Sequence, residues 1–135
     1  MKLPLRSFRG QLLLVFVPVL ALAQLATWYL VGRFNEREAR QQIDTSLQQA
    51  AQTHAELMAE TGNYGHEFGP ATRFPKRLAA VGFDGSAGEN LGVGYGSIDD
   101  AIQGWLDSPE HRKILLRPNY DRAGFAYAFN RSGRN

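Results

Sequence analysis

A carboxylate in a glycine-rich turn and a histidine at a helix start have the types and spacing in this chain to do chemistry. Glu89 lies between Gly88 and Asn90, residue types that tolerate unusual backbone angles and close approach. His111 follows 22 residues later, within S-P-E-H-R. A second histidine, His66, sits in the glycine-bounded loop G-H-E-F-G-P. Imidazole and carboxylate groups move protons near neutral pH and ligate divalent cations. His66, Glu89 and His111 are therefore the candidate site residues, on condition that the fold brings them into one water-reachable hollow. No nucleophile stands beside them: cysteine is absent, there is no G-x-S-x-G elbow, and no serine is paired with a histidine by pattern. The third histidine, His54, lies mid-helix on an alanine-rich face and reads as a packed or half-exposed helix residue rather than a ligand.

Several elements must hold these groups. Ser97 with Asp100 three residues on is close to a capping box, and Ile98, Ala101, Ile102, Trp105 and Leu106 share one face of the helix it starts. Trp105 is expected in the core. Ser108-Pro109 stops that helix and starts another, with Pro109 at the tolerated first position, so His111 falls in a first helical turn. Upstream, residues 50–60 form an amphipathic helix ended at Gly62. Residues 72–81 form a short helix with Pro75 in its first turn, closed by Gly82. Residues 123–129, A-G-F-A-Y-A-F, alternate small and aromatic side chains and predict one strand; residues 130–135 are a polar tail. No internal repeat is visible. Gly92, Gly94 and Gly96 give G-x-G-x-G, which lacks the acidic partner and the long strand of a dinucleotide fingerprint. They read as a place where backbones approach closely.

Length and charge bound the rest. The 135 residues suffice for one small domain. Fifteen basic against thirteen acidic residues give a net charge of +2, with the signs mixed along the chain. There is no basic stripe with interleaved aromatics, which argues against a nucleic-acid partner. Without cysteine, neither a disulfide framework nor a thiolate metal site can form.

The N-terminus carries a strong physical signal. Lys2, Arg6 and Arg9 precede residues 12–31, apolar apart from Gln24 and Thr27. At about 1.5 Å per residue such a helix spans the roughly 30 Å hydrocarbon core of a bilayer, and Trp28 and Tyr29 would sit in an aromatic belt. The segment predicts a signal anchor, residues 1–33. With Arg33, Arg37 and Arg40 after it, the flanking charges do little to orient it, and a place in the inner membrane facing the periplasm is what the family resemblance given below implies. The other reading is a secretory signal cut after Ala21-Leu22-Ala23, releasing the protein to the periplasm or medium. Residues 34–46 are polar and helix-prone, a stalk or first domain helix. Residues 47–135 would be the globular part.

In order, H-A-E-L-M-A-E-T-G-N-Y-G-H, then G-E-N-L-G-V-G-Y-G-S-I-D-D-A-I-Q-G-W-L-D-S-P-E-H-R, then L-R-P-N-Y-D-R-A-G-F-A-Y-A resemble the bacterial branch of the CAP superfamily, or SCP domain. Cysteine-rich secretory proteins, venom antigens and plant pathogenesis-related proteins belong to it. The resemblance covers residues 47–129. It implies an α+β fold, a three-layer α-β-α sandwich with an open cleft. It also implies a tetrad of two histidines and two acids that binds a divalent cation such as zinc in some members. His66 matches the first histidine, Glu89 the G-E-N acid and His111 the second histidine. Ser108 stands where the other acid is expected, with Asp107 and Glu67 nearby. The family pattern continues into a further hydrophobic strand, so the sandwich would be incomplete at the C-terminus.

On this reading His66 and His111 ligate Zn²⁺ with an open position for water, and Glu89 either ligates or orients. The alternative is a hydrogen-bonded polar cluster that fixes loops. The resemblance implies an exported or membrane-anchored protein whose cleft takes a small, apolar or lipid-like ligand or a divalent metal, with no established catalysis. A metal-dependent hydrolase or peptidase of the cell envelope is a rival function, and an envelope protein-interaction module is another.

Overall fold

The computed structural model describes residues 8–130, with side chains from residue 18 onward. Among the described residues four α-helices occur in order: α1 (Phe8–Thr61), α2 (Phe74–Ala80), α3 (Ile98–Asp107) and α4 (Pro109–Leu115), with a 3₁₀ turn at Pro70–Thr72 before α2. The chain divides into two compact units, Met1–Arg40 and Gln41–Asn135.

The first unit is helical from Phe8 onward, with Pro18 inside α1. Its described large apolar residues from Val19 onward, among them Leu20, Leu22, Leu25, Trp28 and Leu30, are exposed. The expected membrane anchor at residues 12–31 is corrected here: among the described residues no helix is long and apolar enough to cross a membrane. The side chains of residues 12–17, the start of that run, lie outside the described residues. Lys2 and Arg6, the basic start of the expected anchor, lie outside the described residues, as does the tail at 131–135.

In the second unit, the later turns of α1 carry a narrow buried stripe. Ser46, Ala50 and His54, four residues apart, and Ala55 beside them are buried, on the i, i+4 spacing that puts side chains on one helix face. Small side chains let other segments lie close on this face. The Ser46 hydroxyl donates to the Val81 carbonyl at the end of α2 (2.9 Å), and Leu78 of α2 is buried. Gly62, at φ 66°, ends α1, and its N–H donates to the Met58 carbonyl. The left-handed angle there is the one that glycine adopts without strain.

The helices around the site start and stop as the sequence predicts. The Ser97 hydroxyl accepts from the Asp100 N–H (3.1 Å) and donates to the Asp100 carboxylate (2.7 Å), capping α3. Ser108 ends α3 and Pro109 opens α4. Trp105 is half-buried rather than fully enclosed, and its indole N–H donates to the Leu91 carbonyl (2.9 Å). Ile98, expected on the buried face, is exposed.

The three-layer α-β-α sandwich is also corrected: among the described residues there is no strand and no sheet. Residues 123–129 are irregular by hydrogen bonding, although their exposure alternates as a strand's would: Phe125, Tyr127 and Phe129 face out and Gly124, Ala126 and Ala128 are half-buried. A strand requires a partner ladder, and here a side chain takes that place. The Gln48 amide on α1 donates to the Phe125 carbonyl and accepts from the Phe125 N–H. Beside it Arg122 pairs with Asp44 at 2.7 Å. Gly124 lies so close to the backbone of Leu47 that a Cβ would overlap it.

Candidate functional site

Glu89 is placed by its two neighbours. A Cβ on Gly88 would lie 2.7 Å from a methyl of Ile114 in α4 and 3.1 Å from the Tyr120 ring, so glycine permits the chain to pass beneath them. Asn90 then donates to the His111 carbonyl (3.0 Å), tying the turn to the first turn of α4. Between these anchors the Glu89 side chain, 12% exposed, meets two partners. His66 Nδ1 lies 2.8 Å from Oε1. Arg77 of α2 donates through Nη1 to Oε2 (2.7 Å) and through Nη2 to Oε1 (2.8 Å).

The Arg77 guanidinium is itself held throughout. It is 8% exposed, donates from Nε to the Thr72 carbonyl (3.0 Å) and from Nη2 to the His66 carbonyl (3.1 Å), and lies over the Phe74 ring at 5.3 Å. The forked, bidentate geometry is one that arginine supplies and lysine does not. Burial pushes the Glu89 carboxyl up. The hydrogen bonds from Arg77 and His66, with the Arg77 charge, outweigh burial and hold it below the ordinary 4.5.

This arrangement fixes the His66 ring. A carboxylate can only accept, so Nδ1 carries the hydrogen toward Glu89. Nε2 makes no hydrogen bond among the described residues, and the side chain is 58% exposed. The result is an oriented imidazole with its far nitrogen toward solvent, backed by an ion pair. Such a group accepts a hydrogen bond, takes up a proton or ligates.

Beneath the loop lies His54, 1% exposed and stacked on Phe68 with ring centres 5.2 Å apart. Its Nε2 donates to the Gly65 carbonyl (3.1 Å), and Nδ1 is buried without a partner among the described residues. Of the packed and half-exposed placements that the sequence allows, the structure shows the packed one. Burial, then the Arg77 charge, push its pKa below the ordinary 6.5. His54 and Glu89 therefore have the same sign: both fold with depressed pKa values, so the unfolded chain binds more protons as pH falls. Stability is expected to decline below about pH 6.5 as His54 protonates in the unfolded state, and again below about 4.5 through Glu89. Urea unfolding at a series of pH values checks this. His54→Gln is expected to remove the first decline and leave the second; an unchanged profile would assign the first to another group.

Of the three sequence-predicted residues, His66 and Glu89 are brought into direct contact. His111 is tied to them by its backbone, through Asn90, while its ring shares a hydrogen bond with Ser108 Oγ (2.8 Å) and none with His66 or Glu89. Ser108, standing where the family pattern has an acid, thus holds His111. The two nearby acids go elsewhere: Glu67 pairs with Arg73 on the surface (3.2 Å), and Asp107 accepts from Gln103 (2.9 Å). As placed, these residues do not fit a zinc shell. Both Glu89 oxygens are engaged by a cation and an imidazole. Among the described residues no group of three or more His, Cys, Asp or Glu could hold a metal ion.

Sequence reasoning missed Arg77. It sits in a short helix with Lys76, just after Arg73, and nothing in the pattern marks it out. The usable signal was indirect: a glutamate in a glycine-rich turn that becomes buried needs a cation.

The family model for the cysteine-rich secretory protein family, CAP, matches residues 38–135. Two curated relatives from Bacillus subtilis (strain 168) match as well. "Uncharacterized protein YkwD" is 28% identical over 88 residues, 64% of this chain and 34% of the relative. "Uncharacterized membrane protein YlbC" is 32% identical over 87 residues, 64% of this chain and 25% of the relative. The chain thus aligns with about a third and a quarter of these proteins' lengths. No solved structure gives a significant match.

Proposed function

This chain belongs to the cysteine-rich secretory protein (CAP) family, and on that premise we propose that it is a ligand-binding module of the bacterial cell envelope, with His66 as the anchoring group. One observation carries the reading: the exposed imidazole is fixed from behind by the buried Glu89–Arg77 pair, which leaves Nε2 free to meet a ligand. In the neutral ring Nε2 is an acceptor, so the matching ligand offers a hydroxyl or a protonated acid. A small lipid-like molecule with such a head group satisfies both this chemistry and the family's character. The name of the relative YlbC, a membrane protein, supports an envelope location. Binding is favoured over hydrolysis because no described hydroxyl lies within hydrogen-bond reach of His66 Nε2 to serve as a nucleophile.

Dodecan-1-ol, whose hydroxyl donates, serves as the probe, titrated into the full chain with ¹³C-labelled histidine. A saturable shift at His66 Cε1, lost on His66→Ala and retained on His111→Ala, is the expected result. No saturable shift at His66, in a chain shown to be folded, would remove His66 as the anchor for this ligand class.

A further inference from the structure

The environment of Glu89 explains why a histidine and a carboxylate in contact do not make a metal centre. Two parallel N–H···O bonds from Arg77 reach its oxygens at 2.7 and 2.8 Å, and His66 Nδ1 shares Oε1 at 2.8 Å. The guanidinium already neutralises the carboxylate, and a metal ion would bring a second positive charge to the same two atoms, where low exposure strengthens repulsion. Arg77 cannot swing clear: the Thr72 and His66 carbonyls and the Phe74 ring hold its other faces. We infer that Arg77 is a metal-excluding positioning residue, which keeps Glu89 as the acceptor that orients His66 and bars it from ligating a divalent cation. The inference rests on the placement of Arg77 and not on the ligand read above, so either can fail without the other.

The roles separate by variant. Glutamine at position 77 removes the charge and frees a negative carboxylate beside an imidazole, which is the beginning of a metal site. Lysine keeps the charge but loses the fork, so it continues to repel a cation while holding Glu89 less firmly.

Zinc binding by calorimetry, with cobalt(II) visible absorption as a spectroscopic signature, tests this on the full chain. In a His66→Ala background, zinc affinity is expected to be unchanged by adding Glu89→Gln. Arg77→Gln is expected to tighten zinc binding by roughly tenfold or more, the scale on which groups next to a ligand act. The gain should vanish in Arg77→Gln/Glu89→Gln, and Arg77→Lys should stay near wild type. Zinc binding that survives His66→Ala and is weakened by adding Glu89→Gln would show that Glu89 already ligates and overturn the inference. So would a folded Arg77→Gln with no gain, or an equal gain in Arg77→Lys. Should Arg77→Gln fail to fold, the comparison of His66→Ala with His66→Ala/Glu89→Gln still decides.

Discussion

Replacing Arg77 with methionine is expected to destabilise the second unit by about 3–5 kcal/mol, the cost of leaving one partner of a buried ion pair alone. The side chains are 8% and 12% exposed, so water cannot readily take over the bonds that Glu89 loses. The Thr72 and His66 carbonyls lose a donor in the same change. Among the described residues few are fully buried, and the apolar ones are Ala50, Ala55 and Leu78. A core this small leaves little reserve, since whole domains hold only about 5–15 kcal/mol. Urea unfolding of the full chain reads the loss directly. The double variant Arg77→Met/Glu89→Leu should recover a substantial part of it, because no charge is then stranded. A loss of about 1 kcal/mol or less, the value of an exposed pair, would show that the pair is solvated.

Gly124→Ala is the second large effect, expected to cost about 1–3 kcal/mol or more. The added methyl would overlap the Leu47 carbonyl group and the Gln48 nitrogen of α1. These are backbone atoms in mid-helix, and no side-chain rotation can clear them. Gly62→Ala makes a useful contrast. No atom lies within 4 Å of a Cβ there, and its φ of 66° is the sole penalty, about 1–2 kcal/mol. Unfolding experiments should therefore rank Gly124→Ala at or above Gly62→Ala. Loss of the Gln48 bonds to Phe125, seen as accelerated amide exchange at 125, should accompany only the former. A Gly124→Ala protein as stable as wild type would mean that the segment does not rest on α1.

What could be read in the sequence was local. The serine cap of α3, Pro109 at the start of α4 and the glycine stops at 62 and 82 all arise from backbone chemistry within a few residues, and all are present. His54 was legible as a helix residue rather than a ligand from its alanine-rich face, but its full burial was not, since that depends on Phe68 and the loop at Gly65. The contact of His66 with Glu89 came from the family resemblance. Arg77 did not, since pairing across eleven or twelve residues leaves no periodic trace. The alternation at 123–129 that predicts a strand is real. Alternation reports which side of a segment is covered; it does not report whether backbone groups find a neighbouring strand or, as here, a glutamine amide.

The hold of α1 on the closing segment sets a rule for changes in the helix itself. Asp44 and Gln48 grip Arg122 and Phe125 from positions one turn apart, and each residue of an α-helix advances the azimuth by about 100°. The grip is thus indexed to helical phase, like teeth on a gear. A single codon inserted between Leu47 and Gln48 would rotate one contact off the face while leaving the other. Whole-turn insertions would restore the angle but carry the contact about 5.4 Å along the axis. Point substitutions on the outward face of this stretch are tolerable on that rule, and length changes are not.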